Sequence, residues 1–337
     1  MKKLSLLNKV IYFINNVFAL LLFLSIAIPY IKPKSFPVIS VLSLTVPFLI
    51  FAHFLFIIYW VINGVKKQFF LSAICILLTI FFSYFPYKFN GKKSVNDSDI
   101  TIMNYNVHLF NRYNWIKTKN ISNKISDFIT QNNPDIIALQ EYYSSAKSDL
   151  KFPYKYVKLK GKSEFGQAIF SKYKIINKGS LDFKETSNNA IFIDIVKAKD
   201  TIRVYNVHLE SFGIEIDSLE LTEKNSKILL NRLATLFAKQ QPQVEQFLAH
   251  KKKCKYKMII CGDFNNTAYS WVYRKLKGDF KDTFLQAGRG FGKTFDFHNY
   301  PLRIDFILAD DNFDVQEHQN FNVKYSDHEP ILAKLDF

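Results

Sequence analysis

Apolar positions along the chain follow two regimes. In the first ninety residues they form long unbroken runs, and beyond that they form short runs punctuated by charges and turn residues. The long runs, at 10–31, 38–62 and 69–85, contain 22, 25 and 17 residues. A helix that crosses a bilayer needs roughly 20 apolar residues, with ~17–25 as the working range. Lysines border each run, and Pro33 and Pro86 follow two of them, so the pattern predicts three transmembrane helices. The first run follows Met1-Lys2-Lys3 and could be read as a signal peptide. Its length, its lack of a small-residue cleavage site and the two runs behind it favour a span. Asn15, Asn16 and His53 lie inside the runs, where polar side chains are expected to hydrogen-bond between helices.

From residue 99 the pattern becomes that of a mixed domain. Short β-type runs occur at 100–105, 136–139, 168–170, 191–196, 202–207, 258–261, 304–308 and 331–335. Helical patterning covers 115–131 and 226–250, with an interruption expected at Pro242. Strands mixed with crossover-length helices indicate α plus β, not a helix bundle. The pentapeptide Tyr-Asn-Val-His-Leu occurs at 105–109 and again at 205–209, which suggests two similar sheets built from a duplicated half. The predicted organisation is a membrane part at 1–90, a polar linker at 91–98 and a soluble domain at 99–337.

Charge sharpens this division. The net charge is +16, yet residues 1–90 carry eight Lys with no Arg and no acid, leaving 37 basic against 29 acidic residues in the rest. The positive-inside comparison of the loops is a five-to-five tie between Lys2, Lys3, Lys9, Lys66 and Lys67 on one side and Lys32, Lys34, Lys88, Lys92 and Lys93 on the other. The basic N-terminus then tips the expectation towards a soluble domain outside the cytoplasm, on a multi-pass integral membrane protein. Cys254 and Cys261 stand at the two ends of one extended segment, too far apart to bridge.

Candidate chemistry sits where the short strands end. Asn106 and His108 are two apart, as are Asn206 and His208, so on an extended strand each pair leaves one face. Glu141 follows Gln140 where the 136–139 strand emerges. Asp263 and Asn265 flank Phe264 after Gly262. Asp305 lies inside an apolar strand, which is costly unless the acid is paired. Ser326-Asp327-His328 precedes the last strand.

This ordered set resembles the endonuclease/exonuclease/phosphatase superfamily, which includes deoxyribonuclease I, abasic-site endonucleases, neutral sphingomyelinases and inositol-polyphosphate 5-phosphatases. Gly262-Asp263-Phe264-Asn265 and Ser326-Asp327-His328 carry the resemblance most specifically, and it extends over 99–337. It implies an α/β fold, a four-layer sandwich of two packed β-sheets flanked by helices, here preceded by the three transmembrane helices. It also implies a metal site at Asn106, Glu141 and Asp327 for Mg²⁺, with Mn²⁺ as a substitute. Asp263 would act on the attacking water, Asn265 and His208 would contact the phosphoryl group, and Asp305 would orient His328. One departure stands out: Gly166-Gln167 occupies the place where deoxyribonuclease I holds a glutamate that supports its histidine. The Pro-x-Trp-Cys-Asp-Arg signature of the inositol 5-phosphatases is absent; Pro301-Leu302-Arg303-Ile304-Asp305 stands there.

The expected function is a membrane-anchored, Mg²⁺-dependent phosphodiesterase acting on nucleic acid or on a phospholipid headgroup, with the bilayer itself as a partner. Interleaved Lys and aromatic residues at 152–158 suit nucleic acid. Phe212, Ile214, Ile216, Leu219 and Leu221, directly after a site strand, suit lipid. An inactive membrane scaffold with a hydrolase fold is the alternative. Against it, Glu141, Asp263, Asn265 and His328 are all present.

Overall fold

The computed structural model describes residues 4–64, 66–92, 100–146, 148–211, 223–297 and 300–337. Most of the 91–98 linker and the apolar stretch at 212–221 therefore lie outside the described residues.

The N-terminal part contains α1 (Leu6–Ala27), α2 (Pro37–Val41), α3 (Val46–Ile62) and α4 (Lys66–Phe82). Ser5 caps α1 by accepting from the Asn8 backbone N–H. The expectation of three spans needs correction. Among the described residues one helix, Leu6–Tyr30, is long and apolar enough to cross a membrane, with 25 residues and mean hydropathy 2.2. The 38–62 run is a bent pair, Pro37–Leu44 and Val46–Ile62, at 56° to each other, and at most adds a second span. Pro47 near the start of α3 explains the bend, because its ring clashes with the carbonyl four residues back and it has no N–H to give. The third helix has 17 residues, at the short limit.

Polar groups inside these helices pair with one another. Asn15 donates to the Ser72 hydroxyl at 2.8 Å and accepts from the Trp60 indole at 3.1 Å, and His53 Nδ1 meets the same Ser72 oxygen at 2.9 Å. Asn16 instead donates to the carbonyl of Tyr12 within its own helix.

The rest of the chain begins with β1 (Ile100–Asn106), α5 (Ile121–Asn132), β2 (Ile136–Tyr143), β3 (Tyr154–Leu159) and β4 (Phe165–Ser171). Next come β5 (Ile175–Ser180), β6 (Asn189–Lys197), β7 (Asp200–His208), α6 (Glu223–Lys251) and β8 (Lys257–Asp263). It finishes with α7 (Trp271–Lys277), β9 (Lys281–Asp282), α8 (Thr283–Ala287), β10 (Phe295–Phe297), β11 (Tyr300–Leu302), β12 (Asp305–Ala309), β13 (Asp314–Asn320) and β14 (Ile331–Asp336). One sheet has the order β13-β14-β1-β2-β4-β3 and the other β5-β6-β7-β8-β12-β9. Ile102, Ile136, Ile193, Val204, Ile259 and Ile307, all fully buried, fill the space between them. On the outer faces, α5 packs through Ile121 and Ile125 on Met103 and Tyr105, and α6 and α7 pack through Phe247 and Val272 on Tyr205 and Ile260. The result is the expected four-layer arrangement of two mixed sheets flanked by helices.

The repeated pentapeptide marks equivalent strands. β1 pairs antiparallel with β14 and parallel with β2, and β7 pairs antiparallel with β6 and parallel with β8. Pro242, expected to interrupt a helix, sits inside the continuous 29-residue α6. Phe237 on one side of it and Val244 and Phe247 on the other are fully buried, so tertiary packing on both sides outweighs the lost hydrogen bond.

The N-terminal part is docked on the sandwich. α2 packs on α6 through Val41, Leu233 and Phe237. Lys34 N–H donates to Gln241 at 3.0 Å, and the Thr267 hydroxyl donates to the carbonyl of Ser43 at 3.0 Å. Lys88 exchanges backbone hydrogen bonds with Gly290, and Lys92 N–H donates to the carbonyl of Ala287.

Candidate active site

The C-terminal ends of β1, β2, β7 and β8 converge at one end of the sandwich and bring all eight expected residues together. Asn106, Glu141, His208 and Asp263 come from those four strands, Asn265 follows the end of β8, Asp305 starts β12, and Asp327 and His328 come from the turn before β14. The register places His208 directly beside Asp263 and Asp305 on its other side.

One carboxylate oxygen is the centre. Oδ2 of Asp263 accepts from the Asn106 amide at 3.1 Å and lies 3.6 Å from His328 Nε2 and 3.7 Å from His208 Nε2. Its Oδ1 accepts from the backbone N–H of Asn265 at 2.8 Å. Asp305 Oδ2 meets His328 Nδ1 at 2.8 Å, and Asp305 Oδ1 accepts from Asn104. The buried acid of β12 is thus paired. Burial opposes charge on His328, but the carboxylates of Asp305 and Asp263 outweigh it and raise this imidazole well above its ordinary value. Asp263 is itself raised, by burial first and by the nearby Asp305, against the pull of His328. A carboxylate brought up from its ordinary range is a better proton acceptor near neutrality.

His208 behaves differently. Burial, reinforced by the charge of His328, lowers it to about 3, so it is neutral. A separation of 3.7 Å from Asp263 is too long for a hydrogen bond, and His208 Nε2 has no hydrogen-bond partner among the described residues. Gln167 does not support it either, since its amide donates to the carbonyl and side chain of Asn206.

Beside this centre lies a second acidic pair. Glu141 carries a positive φ of 49° at a β-bulge in β2, a conformation uncommon for a non-glycine residue and often found where a bulge re-aims a side chain. Its carboxyl accepts from Asn106 at 3.3 Å. Burial, then the charge of Asp327, raises it. Asp327 is held at about 2: burial pushes it up, but its hydrogen bond to His108 and the charges of His328 and His108 more than offset that. Two acids crowding one another, with Asn106 between the centres, form an all-oxygen donor set that suits a hard divalent cation. Asp263, Asp305 and His328 also offer ligand atoms within 4.8 Å of one another. There, however, His328 Nδ1 is already engaged with Asp305.

Asn265 also has a positive φ, of 48°, and its amide donates to the carbonyl of Leu209 at 3.1 Å, so one of its two amide hydrogens is committed to the fold. Gly262 is required because a Cβ there would meet the Val207 carbonyl of the adjacent strand. A cleft of about 650 Å³ opens the site past Glu141 and His208 between Lys158, Lys160 and Asn188.

The sequence pattern did not reveal His108's place. It expected His108 on the strand beside Asn106, but β1 ends at Asn106 and residues 108–111 all have positive φ. His108 Nδ1 instead pairs with Asp327 at 3.1 Å, and its ring stacks on Trp115 at 3.9 Å. Nor did the pattern reveal the buried amide network beneath, in which Gln140 donates to Asn104 and Asn206, each at 2.8 Å. The even spacing of Asn104, Asn106, Asn206 and His208 was its available signal.

A family model for the endonuclease/exonuclease/phosphatase family matches residues 103–328. A second, describing a domain of unknown function, matches residues 8–84. Among curated proteins, no match to the chain is found. Solved structures similar to it include a humanised D. rerio TDP2, at 16% identity and TM-score 0.52, covering 71% of this chain and 99% of that one. The human Nocturnin catalytic domain shows 16% identity and TM-score 0.51, covering 71% and 93%. The protein of this family from Beutenbergia cavernae DSM 12333 shows 16% identity and TM-score 0.50, covering 72% of each chain. At these identities the likeness concerns the fold, and it is the family match across the sandwich and its convergent strand ends that makes this chain a member of the endonuclease/exonuclease/phosphatase family.

Proposed function

We propose that the chain is a divalent-metal-dependent phosphodiesterase, held at a membrane by its N-terminal helices, that acts on a phosphodiester of nucleic acid or of a phospholipid headgroup. The observation that carries this reading is the convergence of Asn106, His208 and His328 on one oxygen of Asp263, beside the Glu141–Asp327 pair. Glu141 and Asp327, with Asn106, would hold Mg²⁺, for which Mn²⁺ would substitute; one or two carboxylates suffice for an ion that keeps several waters. The bound cation would neutralise charge on the phosphoryl and leaving oxygens.

The chain's own residues account for the rest. Asp263 takes a proton from the attacking water as the new phosphorus–oxygen bond forms and the bond to the leaving oxygen breaks. His328, kept cationic by Asp305, and neutral His208 donate towards the oxygens on which charge develops, where preorganised donors contribute most. The remaining amide hydrogen of Asn265 points to the same role. The exposed apolar faces of α1, α3 and α4, with Phe13, Phe51 and Phe81 from 59 to 86% exposed, support the membrane location.

The full chain in detergent should hydrolyse bis(p-nitrophenyl) phosphate, lose that activity in EDTA and regain it with Mg²⁺ or Mn²⁺. Turnover that persists unchanged in EDTA would remove the metal from the reading.

A further inference from the structure

We infer that the junction between the N-terminal helices and the sandwich is a binding site for one acyl chain of a bilayer phospholipid, and that the substrate is accordingly a lipid phosphodiester. This rests on the membrane-held phosphodiesterase reading above and names its substrate class. The site is an apolar groove of about 600 Å³, within the ~300–1,000 Å³ of small-molecule sites. Phe48, Phe51 and Phe54 of α3 form one wall, the segment at 84–89 a second, and residues 267–269 with β11 the third.

Two tyrosine hydroxyls of these walls hold them together. The Tyr300 hydroxyl accepts from the backbone N–H of Phe48 at 3.0 Å, satisfying one of the orphan donors in the first turn of α3. The Tyr269 hydroxyl donates to the carbonyl of Tyr84 at 2.9 Å. The aromatic faces are left to line the space. Two cations stand at its margin, and both are paired: Lys293 with Asp296 and Glu329, each at 2.7 Å, and Arg303 with Asp282 at 2.8 Å. Among the described residues that line the groove, no free cation is held out to a phosphate, and hydrocarbon is the chemistry that the lining accepts.

Two further observations identify the source of that hydrocarbon. Along α3 the groove continues into an exposed apolar face that includes Leu55 and Ile58, 52% and 54% exposed. That is the surface placed in lipid above, so bilayer chains are its immediate neighbours. The groove also adjoins the reaction site through one hairpin. Tyr300, Pro301 and Leu302 of β11 line it, while Phe295 of β10, paired with Leu302, packs its ring on His328 at 4.8 Å. A lipid with one chain in the groove would hold its headgroup phosphate near the catalytic histidine, which gives the docking of the two parts a catalytic purpose.

Photolabelling of the full chain in phosphatidylcholine vesicles, with a diazirine at the end of one acyl chain of the lipid, tests this. Residues 284–302 should be labelled, in addition to the outer face of α1. Leu285→Trp, which fills the groove from a half-buried position, should reduce labelling at 284–302 at least tenfold relative to α1. Labelling confined to the outer helix faces, or unaffected by Leu285→Trp, would overturn the assignment. In parallel, the full chain should hydrolyse vesicle phospholipid at least tenfold faster than plasmid DNA, and Leu285→Trp should lower that ratio. DNA cleavage at or above the lipid rate would overturn the lipid substrate while leaving the phosphodiesterase reading intact. If neither these substrates nor bis(p-nitrophenyl) phosphate is hydrolysed, that reading fails, and the labelling map decides the groove by itself.

Discussion

The two copies of Tyr-Asn-Val-His-Leu have the same five residues and end in different places. In both, the tyrosine is fully buried against an outer helix layer and the asparagine faces the space between the sheets. The backbones then part. In the second copy His208 remains on its strand, buried and neutral, beside Asp263. In the first, the strand ends at Asn106 and a left-handed turn carries His108 out to Asp327 and Trp115. Burial opposes charge on His108, but the hydrogen bond and charge of Asp327 raise it above its ordinary value. Identical local sequence therefore yields one histidine held neutral by burial and one raised by pairing with an acid. What differs is the chain that each copy meets.

Five substitutions would sharpen or break this contrast. The largest effect should come from the residue that the second copy faces. Asp263→Asn removes the proton acceptor and should lower kcat by about 10²–10⁴-fold, the usual worth of general base catalysis, while Mn²⁺ binding measured by electron paramagnetic resonance persists. Loss of metal binding would instead move Asp263 into the metal site.

The histidines themselves should separate next. His208→Ala should cost about 10²–10³-fold in kcat, as for loss of a preorganised donor. His108→Ala should cost about 10–100-fold, expressed mainly as a higher Mg²⁺ requirement, as for partners of metal ligands. Equal losses in kcat, with the Mg²⁺ requirement unmoved, would erase the distinction between the copies.

A smaller effect should appear in the pH profile. Asp305 raises His328, so Asp305→Asn lets the imidazolium lose its proton earlier and should move the alkaline limb of activity to lower pH. A limb that stays in place would make Asp305 structural alone.

The smallest should be in acid stability. His208 is lowered from 6.5 to about 3 in the folded chain, so between those values the unfolded chain binds the extra proton and stability falls as pH drops. His208→Gln removes that proton, and the melting temperature should decline less steeply from pH 6.5 towards pH 3 than in the unsubstituted protein. An unaltered slope would mean that His208 is not held neutral.

Much of this was legible in the sequence because it depends on local pattern. Short apolar runs around Asn104, Asn206 and Cys261, rich in Ile and Val and bounded by polar and turn residues, place those segments as strands buried on both faces. Asp305 within an apolar run demanded a partner, and His328 supplies it. The long apolar runs identified the N-terminal part, but run length overstated the number of spans, because Pro47 divides one run into two helices and hydropathy does not register a bend.

By itself the sequence determined where strands and helices mix and which polar residues stand at the strand ends, because both follow from short-range pattern and residue type; the layered plan and the roles expected of those residues came from the family resemblance that the ordered motifs carry. Tertiary structure decided which acids crowd together, which histidine is neutral, that Pro242 stays inside a helix, and that the N-terminal helices lie against the sandwich with an apolar groove between them. Those outcomes depend on burial and on partners hundreds of residues away, as with Tyr300 capping Phe48. Such contacts have no period along the chain, and only the packed fold brings them within the few ångströms over which charges and hydrogen bonds act.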